Sequence, residues 1–155
     1  MQQLNNLVNS LLTYSWLSPD VGTRKELCQI LLYRPYLNCD QWFDRYWTPP
    51  FVQQTYPKPL IEFVYNHLGV YTGLEVGRLR PSDRLVEDLQ FPRICWFDWG
   101  LNLCADFYHT FGIDISEQFD ETGLLTFADL ISFLNLQLGG RTTTPSLEAV
   151  QTALT

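Results

Sequence analysis

The chain has 155 residues, 46% of them apolar and 17% charged, which suffices for one ordinary domain burying roughly two thirds of its unfolded surface and excludes disorder over most of its length. Ten Lys and Arg stand against seventeen Asp and Glu, and this net charge of −7, without any basic run, disfavours nucleic acid as a partner. No apolar stretch approaches the roughly 18 residues of a membrane span, and the start MQQLNNLVNS lacks the basic residues of a signal sequence, so the expectation is a cytoplasmic protein with no membrane partner.

Leu4, Leu7, Val8, Leu11 and Leu12 recur at helical spacing and predict an amphipathic helix over Leu4 to Leu17, ended by Ser18-Pro19-Asp20. Thr23 followed by Glu26 forms a capping-box pattern, in which each side chain satisfies a backbone N–H of the first turn. A second helix is therefore expected from about Arg24 to Tyr33, before Pro35. Asn38 or Asp40 can cap a third, short helix bearing Trp42, Phe43, Tyr46 and Trp47, which Pro49-Pro50 closes. Phe51 to Pro59 reads as an extended connector. Leu60, Ile61, Val64 and Leu68 then mark a helix with Gly69 as its expected stop.

The stretch Tyr71 to Gln90 is punctuated by Gly73, Gly77 and Pro81 and predicts a long loop packed on the body through its apolar residues. Only Tyr71 to Leu79 suggests even a short extended piece. A long helix is expected over Ile94 to Phe111, stopped by Gly112, with at most a short helix in Asp114 to Glu121. Thr126 and Asp129 open a last helix carrying Phe127, Leu130, Ile131, Leu134 and Leu138, before Gly139-Gly140. Residues 141–155 read as a loosely packed tail. The fold class is all-α, organised as an N-terminal helical extension (1–56), a helical bundle (57–140) and the tail, together one compact domain.

The four cysteines, Cys28, Cys39, Cys95 and Cys104, are spaced 11, 56 and 9 apart, unlike the close pairs that hold zinc. Cys95, Cys104 and His109 can be drawn as a metal site, but Cys104 and His109 point to different sides of one helix. Small buried hydrophobes in a reducing compartment are the simpler reading. His67 and His109 lie in no nucleophile or metal motif, and Gly69, Gly73 and Gly77 fit no phosphate loop, so neither an enzyme nor a bound metal is expected. Between Pro57 and Gly140, five basic and twelve acidic residues account for the whole net charge. Arg78, Arg80 and Arg84 are expected to pair internally with Glu75, Asp83 or Glu87.

The helix ending Leu68-Gly69-Val70, the long loop, the string Asp83-Arg84-Leu85-Val86-Glu87-Asp88-Leu89, the helix ending Phe111-Gly112 and the last helix opened by Thr126 together resemble the acyl carrier protein family over about residues 58–138. The resemblance implies a four-helix bundle with a long first loop, whose second helix is acidic and receives basic partner enzymes. Carrier proteins attach phosphopantetheine to a serine in an Asp-Ser-Leu motif at the start of that helix. Counted from Asp88-Leu89 that position falls on Arg93, and counted from Phe111-Gly112 it falls near Phe97. No Ser or Thr lies between Asp83 and Thr110, so no cofactor is expected, and serine-less carrier-like domains of bacteria are the nearer analogy.

On a helical wheel Trp96, Trp99, Leu103, Phe107, Gly100, Phe111, Cys104, Phe97, Tyr108 and Leu101 span an arc of about 200°, more than one buried face requires. Either the N-terminal cluster Trp42, Phe43, Tyr46 and Trp47 covers the excess, or another protein does. The functional expectation is a non-catalytic adaptor, assembly factor or regulator. Its partner-binding residues would be Trp96, Trp99 and Phe107 as apolar anchors, with Asp98, Asn102 and Asp106 setting orientation. Trp99→Ala should then weaken binding and leave the fold intact. Two alternatives stay open: an acidic inhibitor or immunity-type protein that blocks a basic site, and a cryptic carrier using Ser82 or Ser116.

Overall fold

A computed structural model describes residues 18–139 apart from Gln53 and Thr55; the expected helix over Leu4 to Leu17 and the tail from residue 141 lie outside these residues. The described residues form six α-helices and no β-strand: α1 Val21–Leu31, α2 Cys39–Tyr46, α3 Lys58–Thr72, α4 Phe91–Ile94, α5 Trp99–Phe111 and α6 Phe127–Gly139. Single 3-10 turns lie at Val76–Arg78 and Glu121–Gly123. The all-α class holds, and no helix of the described residues is long and apolar enough to cross a membrane.

Local chemistry sets most helix ends. Asn38 accepts from the Gln41 backbone N–H at 2.9 Å while the Gln41 side chain accepts from the Asn38 N–H at 3.1 Å, a reciprocal cap that starts α2. Thr126 and Asp129 exchange the same pair of bonds at the start of α6, at 3.2 and 2.9 Å. The expected Thr23/Glu26 cap does not start α1. Asp20 does so instead, accepting from the Thr23 N–H at 3.1 Å, and the helix begins three residues earlier than predicted. Nor does α3 stop at Gly69. It runs to Thr72, whose hydroxyl bonds back to Leu68 O at 2.6 Å, and the left-handed turn falls on Gly73, at φ 71°.

Helix α3 is the centre of the packing, touching α2, α5, α6 and the Val76–Arg78 turn. Its residues Leu60, Ile61, Val64 and Leu68 are fully buried and join one continuous core that runs from Leu27 on α1 to Leu134 on α6. The loop between α3 and α4 is packed as expected, with Leu74, Val76, Leu79, Leu85 and Leu89 buried. Its suggested extended piece is absent: the backbone there makes a 3-10 turn, and the one β-bridge among the described residues joins Arg84 to Thr126. Asp83, 5% exposed, is the loop's electrostatic pin. It accepts both guanidinium nitrogens of Arg34 at 2.7 and 2.9 Å and the Arg80 N–H at 2.7 Å. Arg78 pairs with Glu75, as one of the expected pairings had it, whereas Arg84 pairs with Asp88 and not with Glu87.

The long helix expected over Ile94 to Phe111 is broken. Helix α4 ends at Ile94, Cys95 is extended (φ −91°, ψ 155°), and a new helix starts at Trp99. The N-terminal region binds the carbonyls at this break. A continuous helix would offer the carbonyls of Arg93 and Ile94 to the N–H groups four residues on. Here the Asp20 N–H takes Arg93 O at 2.7 Å and the Arg24 guanidinium takes Ile94 O, so both carbonyls left without helical partners are satisfied by the first turn of α1 and its cap. Gly112, with φ 70°, stops α5 where the sequence places the stop.

Candidate functional site

The break between α4 and α5 opens a cleft. One lobe, of about 360 Å³, is bounded by Leu85 and Val86 of the long loop, Phe91 and Pro92 of α4, Cys95 to Phe97 of the break, and Leu124. A second lobe, of about 330 Å³, lies between Gly100, Leu101 and Cys104 of α5 and the Ser116–Thr122 loop. Phe97, Glu121 and Thr122 border both lobes, so the two adjoin in one trough whose first lobe is mostly apolar and whose second is mixed, with Ser116, Asp120, Glu121 and Thr122 facing the apolar side chains of α5.

The trough's floor is an aromatic stack. Trp99 meets Phe91 edge-on at 5.4 Å on one side and Phe119 edge-on at 5.8 Å on the other. Phe119 reaches that position because residue 100 is glycine: a Cβ there would stand 2.7 Å from the ring. The loop carrying Phe119 is tied down by buried Ile115 and by two carboxylate turns. Asp114 accepts from the Ser116 hydroxyl and N–H at 2.6 and 3.0 Å, and Asp120 does the same for Thr122 at 2.6 and 3.0 Å. These bonds, the hydroxyls first, hold both carboxyls below the usual aspartate range, so they are ionised at neutral pH. Burial pushes the Cys95 thiol up to about 12, which keeps it an uncharged part of the wall. The lining thus supplies apolar area with Asp120 and Glu121 at the rim, and no Lys, Arg or His.

The structure divides the six expected partner-binding residues. Trp99 (5% exposed) and Phe107 (fully buried) are core, so their assignment as exposed anchors is corrected. Phe107 packs edge-on against Phe63 of α3 at 5.6 Å. Trp96 is 40% exposed and lines the first lobe. Asp98 is half-buried at the head of α5, where its side chain makes no capping bond, and Asn102 is exposed. Asp106 is half-buried and accepts the Tyr71 hydroxyl of α3, a bond that serves the α3–α5 packing. Of the two residues at the expected serine position, Arg93 is exposed on α4 and Phe97 stands in the break, 64% exposed.

The N-terminal aromatic cluster does not cover α5. Trp42 and Trp47 are fully buried against Phe127 of α6, at 6.0 and 6.3 Å, and Trp42 also meets Tyr65 of α3 at 5.5 Å. The outer edge of α5 remains open to solvent, with Leu101 70% and Tyr108 54% exposed. The sequence reading missed Val86, Leu124 and the Phe119–Thr122 loop as parts of the site. Only the run Asp120-Glu121-Thr122, a carboxylate beside a turn-forming hydroxyl, signalled an ordered loop there.

Among the described residues no three His, Cys, Asp or Glu side chains stand close enough to share a metal ion. His67 is stacked on Phe63 at 4.3 Å with Nδ1 at 2.8 Å from the Phe63 carbonyl, and His109 lies in the last turn of α5 beside Tyr108. No family model, curated protein or solved structure matches the chain.

Proposed function

We propose that this chain is a non-catalytic, cytoplasmic adaptor, assembly factor or regulator that binds another protein through the α4–α5 cleft. The observation that carries the reading is the trough itself. Phe97, Val86 and Leu101 are each more than half exposed around it, above a floor of buried aromatic rings, whereas the exposed Ile30, Leu32 and Tyr33 of the α1 end border a cavity without such a floor. Such a surface rimmed by ionised carboxylates suits protein recognition, with apolar area for affinity and charge for orientation. The order of α3, long loop, α5 and α6 also agrees with an acyl-carrier-like bundle. The residues at its expected attachment point, Arg93 and Phe97, have no hydroxyl to carry phosphopantetheine.

A second reading is favoured by one specific feature. From Ile94 to Gly139 there are seven carboxylates and no Lys or Arg, as an acidic inhibitor of a basic site would require. Salt separates the two readings, since an inhibitor that works by charge mimicry loses association rate steeply as ionic strength rises and an aromatic-anchored adaptor loses less.

Site-specific photocrosslinking in the native cells tests the location. With a benzophenone side chain in place of Leu101, one protein should be captured repeatedly, and the same group in place of exposed Tyr33 at the end of α1 should capture none. Capture from Tyr33 and not from Leu101 would move the interface to the N-terminal helices and end this assignment.

A further inference from the structure

The chemistry of the occupant can be read further, on the premise that the cleft is the docking site. Three features of the surface bear on it.

The first is shape. Leu101, Ala105 and Tyr108 are all exposed and lie at i, i+4 and i+7 on α5, so they form one stripe along the outside of the helix. At 1.5 Å per residue the stripe is about 10 Å long, and Leu101, its first member, is also a wall of the second lobe. Trough and stripe thus meet at Leu101, giving a surface that begins at an apolar pocket, passes a lobe edged by carboxylates and runs along a helix. A surface of that form matches the apolar face of another helix, whose bulky residues recur with the same period. The alternative mode, addition of a strand, needs an open sheet edge, and the described residues contain no strand.

The second is charge. Asp98 stands at the head of α5 and Asp120 and Glu121 along the trough, whose lining holds no Lys, Arg or His. A second copy of this face would set like charges across a two-fold interface, and anionic lipid or nucleic acid would be repelled for the same reason. The face calls for a cationic complement.

The third is order. Asp114 and Asp120 tie down the loop opposite α5 through their bonds to Ser116 and Thr122, and Phe119 wedges against Gly100. The trough is thus preformed, and an incoming helix need not pay to assemble it.

We infer that the cleft and the outer stripe of α5 together receive a basic amphipathic α-helix of a partner protein. One large apolar residue of that helix enters the trough beside Phe97, its following apolar positions lie on Leu101, Ala105 and Tyr108, and its Lys or Arg residues face Asp98, Asp120 and Glu121.

The test uses the full chain and labelled peptides of about 18 residues, long enough for a stable amphipathic helix on binding, read by fluorescence anisotropy. The probes are a Leu/Lys peptide with leucines at i, i+3, i+4 and i+7, its Leu/Glu counterpart, and a Leu/Lys peptide of scrambled order. The Leu/Lys helix should bind at least about tenfold more tightly than either other peptide. Leu101→Gln and the pair Asp120→Asn, Glu121→Gln should each lower that affinity by about tenfold or more, the pair also flattening its salt dependence. All three altered side chains are exposed and Asn keeps an acceptor for Thr122, so folding is retained; circular dichroism checks this. Equal binding of the scrambled or acidic peptide, unchanged affinity in the variants, or no binding of the Leu/Lys helix would overturn the proposal. If these fail while a benzophenone in place of Leu101 still captures a protein, the docking site stands and only its basic helical occupant falls; loss of that capture removes both.

Discussion

Two aromatic clusters of this molecule meet different fates. Around Trp42 and Trp47 the rings close on one another and on Tyr56, Tyr65 and Phe127, with centroids 5.3 to 6.3 Å apart, and the Trp42 indole N–H donates to Leu79 O at 2.9 Å. Around the α4–α5 break, Phe91, Trp99 and Phe119 form a similar edge-to-face stack, yet Phe97 stands outside it, 64% exposed. Residue type does not separate the two. What separates them is the number of elements that converge: α2, α3 and α6 enclose the first cluster, while the second opens to solvent at the break between α4 and α5, where Phe97 stands. An aromatic surplus in a sequence is thus ambiguous until the backbone shows which rings have neighbours on every side.

The comparison breaks most sharply if the buried rings and the open edge of α5 respond alike to substitution. Trp42→Ala and Trp99→Ala each remove a buried indole, and each should cost about 3–5 kcal/mol in chemical denaturation. Leu101→Glu, on the open edge of the same helix as Trp99, should stay within about 0.5 kcal/mol of the parent chain. A Trp99→Ala protein as stable as wild type would restore Trp99 as a surface anchor. A Leu101→Glu protein that unfolds would show that the α5 stripe is covered.

A smaller effect tests how the long loop is held while the cleft stays open. Arg34→Met would leave the Asp83 carboxylate buried without its cation, at a cost of about 3 kcal/mol. Replacing both partners, as Arg34→Met with Asp83→Leu, should recover part of that loss, because no stranded charge remains. Recovery stays partial, since the Arg80 N–H also loses its acceptor at Asp83. Strictly additive single and double variants in a denaturation cycle would mean that the pair is not coupled and that the loop is held by its buried leucines instead.

What was legible in the sequence follows from how local its cause is. The starts of α2 and α6 and the stop at Gly112 were readable because each is written in residues within a turn of the boundary: Asn38 with Gln41, Thr126 with Asp129, and a glycine at positive φ. The break after Ile94 was not readable, because the groups that satisfy its carbonyls, the Asp20 N–H and the Arg24 guanidinium, come from some seventy positions away. The wheel of residues 94–111 therefore placed Trp96, Phe97 and Asp98 on a face that does not exist as one helix. It correctly held more apolar width than one neighbour can bury. Which half of that width is buried is set by rings from other elements: Phe63 of α3 against Phe107, and Phe119, from a loop, admitted by the missing side chain of Gly100.

The smallest expected effect concerns that same junction of α1 with α4. Asp20 presents two groups to it: its N–H holds Arg93 O, and its carboxylate caps α1 through the Thr23 N–H. The bonds from the Thr23 backbone and hydroxyl hold the Asp20 carboxyl below its ordinary value of 3.8. Because the folded value is the lower one, the cap's contribution is fully present above the unfolded value and fades as pH falls through the folded one. Asp20→Ala should therefore lower the thermal midpoint modestly at neutral pH, and the gap from the parent should close as the pH is taken well below 3.8. Asp20→Asn keeps the acceptor without the charge, so it should keep most of the cap and lose the pH dependence. A gap for Asp20→Ala that is unchanged from neutral pH to below the folded value would assign its effect to the chain path between α1 and α4 and not to the carboxylate.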